Sequence, residues 1–175
     1  MEVLELTLRT AKFSQSDFEA FVRLHESQGI SQVYMWDVTP KPIEDIEDIE
    51  LKRILYFFEH FDWETLRYTW KDFEFDTSHH DIVFVEDNGK IVGYFQFSKQ
   101  DGKRYKFMDW RLENEYQAQK EEIWNSFLEF FRKNHKGIKE LSVCLALNNL
   151  ATPWFEAHEF VESGHSFFSL YLQNR

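Results

Sequence analysis

Apolar and polar residues alternate over residues 2–10, and this period of two predicts a first β-strand. From Phe18 onward the apolar positions recur at helical spacing instead, which predicts an amphipathic helix. Ser14 or Ser16 can accept a hydrogen bond from the free amides at the start of this helix, and Gly29 is predicted to end it. The chain is therefore expected to begin with a strand followed by a helix.

The stretch from residue 33 to residue 70 divides into three parts. Residues 33–42, which contain two prolines, predict an irregular loop. Residues 43–50 repeat Ile-Glu-Asp, and we interpret these carboxylates as favourable neighbours of a helix N-terminus, with cation binding as the alternative. Residues 51–70 continue as helix, with a predicted break near Asp62.

The clearest local pattern is a hairpin within residues 82–97. Two apolar runs, residues 82–86 and 91–97, flank the dipeptide Asn88-Gly89. Asn-Gly readily adopts the positive φ angles of a two-residue hairpin turn, so the two runs are predicted to pair as antiparallel strands.

Residues 104–112 predict the next strand, and residues 116–134 predict a long amphipathic helix that Gly137 caps. The predicted buried stripe of this helix consists of Ile123, Trp124, Phe127, Leu128 and Phe131. Strand and helix are thus expected to be joined by a short connection.

The remaining part of the chain predicts three strands and one helix. Residues 138–147 are a mostly apolar run, which predicts a buried strand. Residues 151–158 predict a short helix with Pro153 in its first turn, where a missing amide costs little. Phe160-Val161 and residues 167–172 predict two further strands.

Composition limits the possible classes of protein. With 175 residues, 43% of them hydrophobic, the chain is long enough for one domain with a real core, so we predict a single domain over residues 1–175. The sequence has no run of about 18 apolar residues to span a membrane, and its N-terminus lacks the layout of a secretion signal. We therefore predict a cytoplasmic protein without a membrane partner.

The balance of charge disfavours nucleic acid as a direct partner. Thirty-one acidic against twenty basic side chains give a net charge of -11, whereas nucleic-acid binding needs a basic face. Such a balance favours a cationic or amine-bearing substrate, although most of these charges are interpreted as a solvated surface. Aromatic residues make up 18% of the chain, and they can serve a pocket, a homodimer interface or, for most of them, the core.

Side chains that bind metals are sparse in this sequence. His79-His80 lies just before a predicted strand without other ligands at a suitable spacing, so a loop end is the better interpretation. Cys144 is the single cysteine, which excludes an internal disulfide and a cysteine-based zinc cluster. No metal site is predicted.

The last third of the chain carries a spacing with a functional meaning. The residues are Asn148-x-x-Ala151-x-x-Trp154-Phe155-x-x-x-x-Phe160. This spacing resembles the Asn-x-x-Ala-x-x-[Leu/Phe]-Tyr-x-x-x-Gly-Phe signature of the GCN5-related N-acetyltransferase (GNAT) family. The run Lys90-Ile91-Val92-Gly93-Tyr94 also resembles the second and third strands of that family, and the preceding elements follow the family's order.

The resemblance implies an α/β (α+β) fold. A GNAT-like domain is a mixed, twisted sheet of six to seven strands with helices on both faces. It also implies a splayed gap between the strands that begin at Arg104 and Ile138.

The resemblance further implies a function and its residues. The expected reaction is acyl-CoA-dependent N-acetylation of a small-molecule or protein amine, by direct attack on the thioester of acetyl-CoA. Asp109 is expected to assist deprotonation of the amine, and its alternative role is that of a solvent-facing aspartate beside Trp110. Gln117 and Asn148 are expected to hold the cofactor, and the alternative role of Asn148 is to cap the following turn.

The sequence also departs from the family's pattern. In the family, [Gln/Arg]-x-x-Gly-x-[Gly/Ala] presents bare backbone amides to the coenzyme A pyrophosphate. Gln117 matches the first position, but Lys120 and Glu122 replace the two small residues and would crowd the phosphates. Phe155 stands where many members have a tyrosine that protonates the departing thiolate.

These departures leave two hypotheses open. Asn114 and Gln117 fit the spacing of a capping box, which would satisfy the helix amides internally. The first hypothesis is a divergent N-acetyltransferase, and the alternative is a non-catalytic GNAT-fold binding or interaction module that has lost acetyl-CoA binding.

Overall fold

The computed structural model describes residues 6–25, 29–31, 68–144, 152–164 and 167–172, which form a mixed β-sheet with helices on both faces. The strands are β1 (Leu6–Thr10), β2 (Gly29–Ser31), β3 (Asp81–Asp87), β4 (Lys90–Lys99), β5 (Arg104–Glu113), β6 (Glu140–Cys144), β7 (Val161–Gly164) and β8 (Phe167–Tyr171). The helices are α1 (Gln15–Arg23), α2 (Trp70–His79), α3 (Lys120–Asn134) and α4 (Thr152–Ala157), with a 3-10 helix (Asn114–Gln119) directly before α3.

Seven strands follow the order β1-β3-β4-β5-β6-β8-β7, and the short β2 pairs with β5 beside this path. The predicted α/β sheet with helices on both faces is therefore confirmed. None of the helices in the described part of the chain has the length and apolarity needed to cross a bilayer.

The first helix is capped as predicted but ends earlier. The side chain of Ser14 accepts a hydrogen bond from the amide of Asp17, at 3.3 Å, and α1 ends at Arg23. The prediction that Gly29 ends this helix is wrong, because Gly29 begins β2 and lies opposite Glu113 in an antiparallel pair.

The helix before the hairpin differs from the expectation. Thr69 and Asp72 form a capping box that starts α2, so Trp70 begins a helix rather than continuing one. His79 belongs to this helix instead of a loop. The loop predicted over residues 33–42, the acidic repeat and the expected helix up to residue 67 lie outside the described residues.

The predicted hairpin is confirmed. Strands β3 and β4 pair antiparallel around Asn88 and Gly89, whose φ angles are 52° and 84°. A two-residue hairpin turn with positive φ at both central residues favours the dipeptide Asn-Gly.

The two faces of the sheet carry separate apolar clusters. One face packs against α3 and α4, and its fully buried side chains include Val83, Phe95, Trp110, Trp124, Phe127 and Phe155. The opposite face packs against α1 and α2 through Phe21, Leu24, Phe73, Ile82, Phe84 and Tyr94. Alternation along β3 and β4 explains this division, since successive side chains point to opposite faces.

Strands β5 and β6 part soon after they meet. Over the described residues they pair in parallel at three positions, Arg104 with Glu140, Tyr105 with Leu141 and Lys106 with Ser142. This parting confirms the predicted splay between the two strands.

The start of α3 differs from the prediction. The 3-10 helix occupies the first residues of the predicted long helix, and the amide of Lys120 donates to the carbonyl of Gln117. The predicted segments at the C-terminus are confirmed where they are described, and Pro153 lies in the first turn of α4. Residues 145–151, which include Asn148 and Ala151, lie outside the described part of the chain.

Candidate active site

A β-bulge in β5 determines which way Asp109 points. Gln96 lies opposite Asp109 and Phe97 lies opposite Phe107, so Met108 is an extra residue between two regular pairs. Phe107 and Trp110 consequently both pack into the cluster under α3. Asp109 is turned to the opposite face, where it meets Tyr94.

The bulge lies next to a stretch of the β5 edge that no described strand pairs with. Leu112 lies opposite Gly93 of β4 and also opposite Ile30 of β2, so β2 must occupy the edge of β5 that faces away from β4. Because β6 leaves that same edge after Lys106, residues 107–110 have no strand partner there within the described residues. The gap between β5 and β6, the bulge at Met108 and the side chain of Asp109 therefore lie at the same place in β5.

Asp109 is buried, with 5% of its surface exposed, so the alternative of a solvent-facing aspartate is wrong. Its Oδ2 accepts hydrogen bonds from the hydroxyl of Tyr94 at 2.7 Å and from Nε of Arg111 at 3.0 Å. Its Oδ1 accepts the amide of Trp110 at 2.9 Å. Three donors thus converge on this carboxylate, and the guanidinium of Arg111 lies beside it as an ion-pair partner.

Tyr94 connects this carboxylate to His25, which lies just after α1. Burial, together with the charge of Asp109, raises the pKa of Tyr94 well above its ordinary value, so its hydroxyl keeps its hydrogen. Nδ1 of His25 lies 3.2 Å from the Tyr94 oxygen. The Tyr94 hydroxyl donates its hydrogen to Asp109, so Nδ1 of His25 is the donor to the Tyr94 oxygen.

The predicted cofactor residue Gln117 lies in the 3-10 helix, where its amide donates to the Leu112 carbonyl at 3.3 Å. The capping box predicted from Asn114 and Gln117 is not formed, because Gln117 is bound to the end of β5 instead. The helix amides are nevertheless partly satisfied internally, by the i→i+3 bonds of the 3-10 helix.

Lys120, the first residue of α3, inserts its ammonium group between two indole rings. Its Nζ lies 5.4 Å from the centre of the Trp110 ring and 4.6 Å from that of Trp154. Burial lowers the pKa of Lys120 to about 8, and the charge of Glu121 opposes this effect. The position where the GNAT family has a glycine therefore holds a half-buried amine.

His158, which follows α4, contacts both Trp154 of α4 and Glu121 at the start of α3. The ring of His158 stacks on Trp154 with 3.7 Å between ring centres, and its Nε2 lies 2.5 Å from a carboxylate oxygen of Glu121. Its Nδ1 lies 2.5 Å from the Trp154 carbonyl oxygen. Glu122, at the second small-residue position, is exposed.

Phe155 is a core residue in this structure. It is fully buried and makes edge-to-face contacts with Phe160 and Trp124, at 5.0 Å and 6.2 Å between ring centres. Its neighbours within the cluster under α3 are apolar. A hydroxyl added at this position would need a partner that these rings do not supply.

Sequence reasoning did not single out Tyr94, Arg111 or Gln96, which surround Asp109. Tyr94 and Gln96 are two residues apart on β4, so strand alternation could have placed them on one face. Their relation to Asp109 depends on the bulge, for which Met108 gives no sequence signal.

Several solved N-acetyltransferases share this architecture. The ribosomal-protein-S18-alanine N-acetyltransferase of Escherichia coli is 12% identical over 97% of this chain and 98% of its own, with a TM-score of 0.58. The PaiA N-acetyltransferase of Thermoplasma acidophilum, solved with coenzyme A, is 12% identical over 94% and 96%, with a TM-score of 0.54. A putative phosphinothricin N-acetyltransferase is 17% identical over 97% and 100%, with a TM-score of 0.58.

The chain therefore has the fold of the GNAT N-acetyltransferases. No family model matches its sequence, and no curated protein matches it either. At such identities the structural likeness defines the fold alone.

Proposed function

We propose that this protein transfers an acyl group from an acyl-CoA thioester, acetyl-CoA in the first instance, to an amine. The observation that supports this most is the edge of β5 at residues 107–110, which no strand of the described residues pairs with, beside the buried carboxylate of Asp109. A free strand edge binds extended ligands through main-chain hydrogen bonds, and the pantetheine arm of coenzyme A carries amide groups suited to this. The shared fold of solved N-acetyltransferases supports the same reaction.

In the proposed reaction the amine attacks the thioester carbonyl directly. A C–N bond forms, the C–S bond breaks, and the thiolate takes up a proton as it leaves. Asp109 assists by accepting a proton from the amine, while the site contributes mainly by aligning the two substrates. A core phenylalanine at position 155 leaves protonation of the thiolate to another group or to solvent.

Gln117 and Asn148 are the proposed cofactor contacts. Gln117 would have to give up its bond to the Leu112 carbonyl, worth about 1 kcal/mol, and the new bond to the cofactor would offset that loss. Asn148 lies outside the described residues, so its role rests on the resemblance in sequence.

A second candidate function is that of a non-catalytic binding or interaction module. Lys120 favours it, because its ammonium group lies between Trp110 and Trp154 and its amide is bonded to Gln117. A pyrophosphate bound at the start of α3 would have to displace the Lys120 side chain or form an ion pair with its ammonium group. The two candidates therefore differ in whether coenzyme A binds at all.

Calorimetric titration of acetyl-CoA and of coenzyme A into the purified protein tests the proposal, with thermal shift as an independent check. Saturable binding at micromolar concentration supports transfer and justifies a panel of small amines and peptide N-termini as acceptors. Absence of binding at millimolar ligand overturns the transferase and leaves the second candidate.

A further inference from the structure

The gap between β5 and β6 is flanked by two helices that contact each other. β5 continues through the 3-10 helix into α3, and α4 is the next described helix after β6. Because parallel strands have their carboxyl ends at the same edge of a sheet, the start of α3 and α4 lie on either side of the open end of the gap. Contacts between these two helices therefore connect the two sides of the gap.

Trp154 of α4 contacts both β5 and α3. Its ring centre lies 5.3 Å from that of Trp110 and 5.2 Å from that of Trp124, and both pairs are edge-to-face. Aromatic pairs of this kind add stability beyond the area that they bury. Trp110 belongs to residues 107–110, so Trp154 packs against a side chain of the same stretch that is proposed to bind the ligand.

Two further contacts between the helices involve charged side chains. The ammonium group of Lys120 lies over the rings of Trp110 and Trp154. The carboxylate of Glu121 contacts Nε2 of His158, whose ring stacks on Trp154. We call the set of Lys120, Glu121, Trp154 and His158 the α3–α4 latch. The side chain of Glu121 is 65% exposed, so solvent competes for its contact with His158.

The latch leaves one buried donor without an acceptor. Trp110 is fully buried, and its Nε1 has no hydrogen-bond partner within the described part of the chain. A buried donor without a partner is costly, and native structures rarely retain one. If Lys120 and Trp154 moved away from the Trp110 ring, an oxygen atom of a ligand would be able to accept this hydrogen.

The contacts of the latch can break without unfolding of α4. Exposed ion pairs and cation–π contacts at partly exposed sites are among the weaker interactions of a folded protein. Phe155 is fully buried in the cluster under α3 and keeps α4 packed against the sheet. The latch thus joins weak contacts to a helix that the core holds in place.

We propose that the α3–α4 latch closes the coenzyme A site in the free protein, and that acyl-CoA binds after the latch has opened. This inference rests on the proposed acyl transfer. When the latch opens, Lys120 and Trp154 leave the ring of Trp110, and the Lys120 ammonium group becomes able to pair with a phosphate of the ligand. The measured affinity is then the affinity of the open form reduced by the fraction of protein that is open.

The test compares Glu121→Gln with Glu122→Gln. Both variants remove one negative charge from the first turn of α3, so they change the attraction of an anionic ligand alike. Glu121 contacts His158, whereas Glu122 is exposed and has no ion-pair partner among the described residues. Stopped-flow fluorescence follows the binding of acetyl-CoA, since Trp110 and Trp154 lie at the latch and their emission is sensitive to its opening.

Glu121→Gln weakens the latch and so raises the fraction of open protein. The association rate constant for acetyl-CoA is expected to be about two- to fivefold higher in Glu121→Gln than in Glu122→Gln, the range that corresponds to loss of an exposed ion pair. The dissociation rate constant is expected to be the same in both variants, because the latch is open in the complex.

Equal association rate constants in the two variants overturn the inference, while binding of acetyl-CoA leaves the proposed acyl transfer standing. A higher affinity of Glu121→Gln that arises only from slower dissociation overturns the inference as well. Binding of acetyl-CoA by none of the three proteins at millimolar concentration overturns acyl transfer and the inference together. Thermal denaturation verifies that both variants fold, as expected for two exposed side chains.

Discussion

Asp109 reaches its partners because of one extra residue. Without the bulge at Met108, strict alternation from Phe107 would direct the carboxylate into the apolar cluster under α3. Burial in that cluster would leave the carboxylate without hydrogen-bond partners, which is costly. On the opposite face the carboxylate instead accepts hydrogen bonds from Tyr94 and Arg111.

Asp109→Asn is expected to lower turnover by about 10²-fold while acetyl-CoA affinity changes little, because an amide accepts a hydrogen bond but not a proton. Steady-state kinetics combined with calorimetric titration measure the two effects separately. Asp101→Asn is the control, since Asp101 is an exposed carboxylate in surface contact with Arg104. Equal turnover of the two variants would contradict the role proposed for Asp109.

Tyr94→Phe is expected to lower the free energy of unfolding by about 1.5–3 kcal/mol, because it removes a donor from a buried, charged acceptor. Urea denaturation measures the change. Tyr116→Phe is the matched control, since Tyr116 also donates to a carboxylate, that of Asp87, but at a less buried site. A larger effect in the control would show that the contact of Tyr94 with Asp109 contributes little to stability.

At the scale of elements, the sequence predicted the regular parts well because their patterns are local. Alternation defined β3 and β4, and Asn88-Gly89 defined their turn. The bulge was not predicted, because an inserted residue changes which face of the sheet the following side chains point to, without changing the composition of the strand. Helix α2 was also missed, since only Phe73 of its residues is buried and its apolar periodicity is weak.

The junction of α3 with α4 was predicted in part. The sequence identified Lys120 as an obstacle to phosphate but not its position between two indole rings, since Trp110 and Trp154 are brought together only by the fold. Phe155 is a similar case. The sequence showed that it stands where many GNAT members have a tyrosine acid, but not that its side chain is fully buried in the core.

The folded state should gain stability relative to Lys120→Met as the pH rises from about 8 to 10.5. The pKa of Lys120 is lowered from 10.5 to about 8 in the folded protein, so between these values the unfolded chain binds a proton that the folded chain lacks. The free energy of unfolding therefore rises with pH across this window. Below the window Lys120 is charged in the folded protein, and the destabilisation caused by its burial is largest there. Urea denaturation of both proteins at several pH values measures the difference, and parallel curves would contradict it.

At the scale of the whole molecule, the net charge of -11 creates a field that attracts cations. Such a field acts on encounter with the substrate rather than on the chemical step, and salt screens it. The charge thus suits the proposed amine acceptor in its ammonium form, and no single residue is responsible for this effect.

For a polycationic acceptor such as spermidine, kcat/KM is expected to fall severalfold when ionic strength rises from about 0.01 M to 0.15 M, as the screening length shortens from about 30 Å to 8 Å. For an uncharged aromatic amine, kcat/KM should hardly change over the same range of ionic strength. Steady-state kinetics at fixed pH decide this, and equal salt dependence of the two acceptors would contradict electrostatic attraction.

The brief pairing of β5 with β6 divides the sheet into two subsheets, one ending at β5 and the other beginning at β6. Within the described residues, main-chain bonds join these two strands at residues 103–106 and 139–142, so this short junction can act as a hinge. A ligand bound along residues 107–110 would supply the missing strand and restrain that hinge. Amide hydrogen exchange at these residues should then slow when the gap is filled, which would report occupancy of the site even before any product is formed.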